Sequence, residues 1–278
     1  MGKTNSIALG KTSGSLGNVT FRLGKNGEVI TSQKINKGTQ KVGTYDQVSR
    51  RVVLANMVTA YQRLNATGDG KGMHHSFPLR PRGNDFNGFV AENMQKATVA
   101  AVMVPKNLGN VLVPAPFIVS RGSLRAPVEL QATFTGGTFV MSGTNNFANM
   151  GELSTALINN YYFSDGDTVT FFGMTFGGAM QSAIISGRQI VLDTQSTEAL
   201  PSWISAAGVI TVTAATNADA VIVRGRRGES GWNVSDAEFS DACMASDAYA
   251  AYTGSVAEQA AVDSWGYKSD PYLQANPQ

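Results

Sequence analysis

Apolar and polar positions alternate most cleanly between Val19 and Leu23, where Thr20 and Arg22 separate Val19, Phe21 and Leu23. That period of two marks a half-buried strand. A second β-prone run, Glu28 to Ser32, follows Gly24-Lys25-Asn26-Gly27. Asn-Gly tolerates positive φ at the centre of a tight turn, so the two runs predict a β-hairpin. Upstream, Gly10, Gly14 and Gly17 leave the backbone free to turn, which predicts an arm held only by a partner.

Helical spacing takes over at Thr44-Tyr45-Asp46-Gln47, which reads as a capping box: the Thr44 hydroxyl accepts from the Gln47 N–H, and the Gln47 side chain reaches back. Val48, Val52, Leu54, Ala55, Val58, Tyr61 and Leu64 then recur along one face, and Thr67-Gly68-Asp69-Gly70 ends the helix near Ala66. Residues 73–85 read as an irregular loop around Pro78 and Pro81. A second helix is expected from Asp85 to Val104, with Phe86, Phe89, Val90, Met94 and Ala97 sharing a face and Pro105 stopping it.

From Val111 the chain becomes a series of short β-prone runs, among them VLVPAPFIVSRGSL, DTVTFFGMTF, RQIVLD and DAVIVRG, broken by Gly, Pro and Asn-rich turns. Met150 to Tyr162 interrupts them as a helix, with Leu153, Leu157 and Ile158 on one side. Between Ser235 and Val262, Ala, Asp, Glu and Tyr predict one or two short helices whose thin apolar faces need a neighbour to order fully. The expected class is α+β: a basic hairpin arm (1–43), a helical segment with a loop (44–105), a mostly-β sandwich or barrel (106–228) and an acidic helical tail (229–278).

Charge changes this picture more than bulk composition does. The 278 residues carry a net charge of only +2, yet residues 1–82 hold 13 Lys/Arg against 3 Asp/Glu, while residues 83–278 hold 9 against 17. Such a split predicts a basic region that docks on something acidic, either nucleic acid or a neighbouring subunit. The candidate contact residues are Arg22, Lys25, Lys34, Lys37, Lys41, Arg50, Arg51 and Arg63. Low charge (15%) with 30 glycines suits a β-rich protein largely covered by neighbours.

Candidate chemistry is sparse. Cys243 is the only cysteine, so an intrachain disulfide is ruled out, and a small buried thiol is expected. Gly2-Lys3-Thr4 and Gly10-Lys11-Thr12 resemble the end of a phosphate-binding loop, but Asn5 stands where the second copy needs its first glycine. His74-His75 offers two metal ligands, though solvated or interface histidines fit the pattern better. Asp165-Gly166-Asp167 reads as a turn before a strand rather than as a calcium loop. Arg224-Gly225-Arg226-Arg227-Gly228 reads as a phosphate contact or a charged exposed turn. No Gly-x-Ser-x-Gly elbow is present. The expectation is a protein with no catalytic or metal residues and no cofactor. A polar, Gly-rich start and apolar runs well short of the ~20 residues that span a bilayer predict synthesis in the cytoplasm and no membrane partner.

Ser13-Gly14-Ser15-Leu16-Gly17-Asn18-Val19, Phe21-Arg22 and the Lys25-Asn26-Gly27 turn resemble the opening of an uncharacterised family widespread in Bacteroidota genomes and their phages. The helix from Tyr45 to Leu64 matches that family in placement, and Val221 to Arg224 leading to Trp232-Asn233-Val234-Ser235 is similar to its closing segment. The chain departs from the pattern at Ser235-Asp236-Ala237, where members often have Ser-Thr-Gln. The resemblance implies a virion structural protein of a crAss-like bacteriophage. Its post would be a ring of the portal–tail (connector or collar) assembly, or else a capsid-associated, head-decorating position. Other copies of itself and portal or adjacent ring proteins would be its partners, DNA contact through the basic arm is the alternative, and its location would be the virion, assembled in the host cytoplasm.

Overall fold

A computed structural model describes residues 44–67, 72–78, 84–229 and 231–267, and the backbone of three strands nearer the N-terminus. The chain divides into two compact units, Met1–Gly43 and Thr44–Gln278.

In the first unit, β1 (Gly14–Leu16), β2 (Val19–Leu23) and β3 (Val29–Gln33) form an antiparallel sheet in the order β1-β2-β3. Leu23 pairs with Val29 and Val19 with Gln33, the register of the expected hairpin. Its turn chemistry at Gly24–Gly27 lies outside the described residues. β1 adds a strand where the glycine spacing predicted only a turned arm.

The second unit opens with α1 (Tyr45–Asn65), capped by Thr44 through the reciprocal bonds of a capping box, with Ala66 as its C-cap. There follow α2 (Asp85–Asn93), α3 (Ala97–Ala100), β4 (Ile118–Ser120), α4 (Val128–Gln131), β5 (Thr138–Val140) and α5 (Met150–Tyr161). Then come β6 (Thr168–Thr175), β7 (Ile184–Val191), β8 (Val209–Thr211), β9 (Ala218–Gly228), β10 (Gly231–Val234) and β11 (Ala237–Glu238). Two short helices, α6 (Asp247–Ala250) and α7 (Ser255–Ser264), close the described chain. The class is α+β.

The centre is a four-stranded antiparallel sheet in the order β10-β9-β6-β7. Phe172, Met174, Val221 and Val223 point to one side, into a core shared with Val52, Met57 and Leu64 of α1 and Phe89 of α2. Val169, Phe171, Ala220 and Ile222 point to the other, against Leu153 and Leu157 of α5, Phe139 of β5 and Ile210 of β8. Apolar residues on both faces of β6 and β9 are what a sheet covered on both sides requires. The sheet ends at β10 and β7 without closing, so the barrel alternative is excluded; the small β5–β8 sheet and α5 form the layer over one face.

Two expectations need correction. The helix expected from Asp85 to Val104 breaks after Asn93, whose buried amide accepts from the Ile118 N–H and donates to the Ile118 carbonyl, both at 2.9 Å. Val102, Met103 and Val104 then run non-helically and buried, with the Met103 N–H bonded to the Tyr252 carbonyl. The acidic tail is also packed further than its sparse apolar pattern suggested: Cys243, Tyr252, Ala261 and Val262 belong to the core that includes α1. The indole N–H of Trp265 donates to the Val104 carbonyl.

Candidate functional site

The predicted basic contacts separate into three groups. Lys25, Lys34, Lys37 and Lys41 lie outside the described residues, and Arg22 is placed only as a backbone position of β2. Arg50 and Arg51 are exposed on the first turns of α1. Arg63, three turns later, is half-buried and committed internally: its guanidinium donates to Ser182 Oγ at 3.0 Å, the Ala183 carbonyl at 2.5 Å and the Asn110 carbonyl at 2.8 Å. It brackets the end of α1 to the segment entering β7.

Two arginines of the cluster are committed internally, and only Arg227 is exposed. Arg224 to Gly228 continues β9, and the strand period puts Arg224 and Arg226 on one face. Between them sits Asp167, at the start of β6 and fully buried. Its Oδ2 accepts the Nε–H of Arg224 at 2.6 Å and its Oδ1 accepts that of Arg226 at 2.6 Å. The Ser164 N–H adds a bond at 2.8 Å, closing the Ser164–Asp167 turn. The Asp167 bond holds the Arg226 guanidinium above its ordinary range. A carboxylate with these three partners acts as a strut between the start of β6 and β9. The sequence shows the turn and the basic run but not their contact; the i, i+2 arginines on a strand are the one signal of it.

His74 and His75 lie on a loop anchored by Asp85, whose two carboxylate oxygens accept from the N–H groups of His75 (3.1 Å) and Phe77 (3.2 Å). His75 has φ of 62°, in the left-handed region, and its ring stacks on Trp232 of β10 at 5.2 Å. Burial holds the His75 imidazole below its usual value, with His74 and Arg227 acting in the same direction and Asp85 opposing. Among the described residues no group of three or more His, Cys, Asp or Glu is arranged to hold a metal ion. Cys243 is buried, and burial pushes its thiol up to about 12.

The two ends of the central sheet differ. The outer side of β10 is covered at its last two residues: the Leu124 N–H bonds the Val234 carbonyl at 2.9 Å, and the Ser123 N–H reaches Asn233 Oδ1. Along β7, the Leu192 N–H and carbonyl face Asp167 and Gly166, so alternation turns the backbone groups of Val191, Gln189, Gly187 and Ile185 away from β6. Among the described residues no strand pairs with that side, although just before β7 the Ala183 N–H bonds the Leu112 carbonyl at 2.8 Å. Ile184 and Val191 at its two ends are 64% and 59% exposed. An eight-residue edge with apolar ends is a template for another strand. The sequence marked a strand here but carried no sign that it would be an edge.

No protein-family model, curated protein or solved structure matches this chain. Among the described residues no helix is long and apolar enough to cross a membrane.

Proposed function

We propose that this chain is a non-enzymatic structural protein of a bacteriophage virion, a subunit of an oligomeric ring in the portal–tail assembly. The observation that supports this reading best is the open side of β7. A closed ring needs two unlike surfaces that meet head to tail. Unit Met1–Gly43 is compact in its own right, holds seven Lys/Arg against one Asp/Glu, and ends its sheet in β3. In this proposal β3 of one subunit extends the central sheet of the next along β7, by strand addition. Low charge over the chain and the N-terminal resemblance agree with a protein that spends its life against neighbours.

A second reading has one observation in its favour. Arg50 and Arg51 are exposed after the basic unit, and with its seven Lys/Arg they would neutralise several phosphates of DNA. Sedimentation of the full chain and of a chain starting at Thr44, each at low and high salt, with and without duplex DNA, separates the two. The ring reading predicts a discrete oligomer that persists in high salt and is lost with residues 1–43. A monomer that binds DNA at low salt and releases it at high salt overturns it.

A further inference from the structure

A groove on the far side of the unit from α1 carries a chemistry that strand addition does not use. It is a cavity of about 660 Å³ lined by the loop before α5, one face of α5 and the turn after β7. Its walls are fixed by backbone contacts. The Met150 N–H bonds the Glu198 carbonyl at 2.9 Å, and the Gly151 N–H bonds the Ser196 carbonyl at 3.0 Å. A Cβ at position 151 would stand 2.5 Å from that same Ser196 oxygen, so glycine alone lets the turn lie against the helix. Asn149 caps the helix by accepting from the Glu152 N–H.

The side chains facing the cavity are of the opposite character. Asn146, Asn159, Gln195 and Thr197 make no side-chain hydrogen bond to another described residue. Glu152 is the one charged group in the lining, and its carboxylate already accepts the Ala148 N–H at 2.8 Å. The lining therefore offers no charge to attract an anion and, for a cation, one carboxylate already bonded through one oxygen. Phe147, half-buried, supplies an apolar surface at one end. Side-chain amides present a donor and an acceptor side by side, which suits adjacent hydroxyls, and an aromatic ring suits the C–H face of a sugar. The volume lies within the range of small-ligand sites.

We propose that this groove binds an uncharged oligosaccharide, with Asn146, Asn159 and Gln195 bonding its hydroxyls and Phe147 packing on a ring. This inference does not depend on the ring reading; a ring subunit and a monomer could both carry the groove.

The test is saturation-transfer difference NMR on the full-length protein with maltohexaose, cellohexaose, laminarihexaose and mannohexaose, which tolerates a large assembly. At least one hexasaccharide should receive saturation, and the exposed pair Asn146→Ala/Asn159→Ala should weaken its binding about tenfold, the loss of two modest hydrogen bonds. Gln195→Ala, on a different element, should weaken the same ligand, and circular dichroism should show both variants folded. Saturation of none of the four sugars, or binding unchanged in both variants, overturns the proposal.

Discussion

Asp167 and Arg224 form an ion pair at 2.6 Å with side-chain exposures of 0% and 7%, so the last residue of the turn into β6 is locked to the middle of β9. Arg226 closes on the other carboxylate oxygen at 2.6 Å from a half-exposed position. The pair fixes the β6–β9 register at the end where Thr168 lies opposite Gly225.

Asp167→Asn leaves the buried Arg224 charge without its counter-ion. Removing one partner of a buried pair costs about 3–5 kcal/mol, which for a unit of this size lowers the melting temperature by roughly 10 °C. Thermal unfolding followed by circular dichroism checks it; a loss within about 2 °C would mean that solvent reaches the arginines after all.

Two buried asparagines act as clamps between helix and extended chain. Asn56 of α1 exchanges both bonds with Val113, as Asn93 does with Ile118. Asn93→Ala strands the N–H and carbonyl of Ile118 in the core and should cost about 3 kcal/mol in urea unfolding, with little change in m. Asn93→Asp, which cannot donate to the Ile118 carbonyl, should not rescue it.

Gly122 lies where an added Cβ would meet the Val234 carbonyl oxygen at 2.0 Å, on the segment that covers β10. Gly122→Ala should push that segment off and destabilise the unit by about 1–3 kcal/mol. Hydrogen exchange at Leu124, whose N–H bonds Val234, should speed up before exchange elsewhere does.

Alkali should unfold the protein through groups held protonated in the fold. Burial, aided by the carboxylates of Asp219 and Asp241, pushes the Cys243 thiol up to about 12, and a hydrogen bond to Glu258 does the same for the Tyr45 phenol. The unfolded chain releases these protons earlier, near pH 9 for the thiol and pH 10 for the phenol, so stability is intact below pH 9 and falls as pH rises towards about 12. Cys243→Ala should flatten the first part of that decline. At pH 8 the native thiol should resist Ellman's reagent and react fully in denaturant; rapid native labelling would contradict the buried assignment.

Local signals were readable wherever local chemistry decided the outcome. The Thr44–Gln47 box, the strand alternation around Phe21 and the helix from Met150 were legible because each depends on residues a few positions apart. The clamp at the end of α2 was not, since Asn93 bonds Ile118, 25 residues away. Nor was the role of Asp167, whose partners lie 57 and 59 residues on. The two short helices of the tail were legible, but their packing was not, because the tail's few apolar residues, Tyr252 and Val262 among them, meet a core built by the other segments. The candidate contacts Arg50 and Arg63 read alike in sequence, yet one is exposed and the other holds three internal acceptors, a difference only tertiary packing creates.

The most direct test of the central claim is the solution mass of the full-length protein beside Ile184→Lys/Val191→Lys, two exposed positions on β7 whose change should leave the isolated subunit folded. Strand addition along β7 predicts a discrete oligomer for the natural chain and a monomer for the variant, with equal circular dichroism. An oligomer of unchanged mass in the variant would contradict the account.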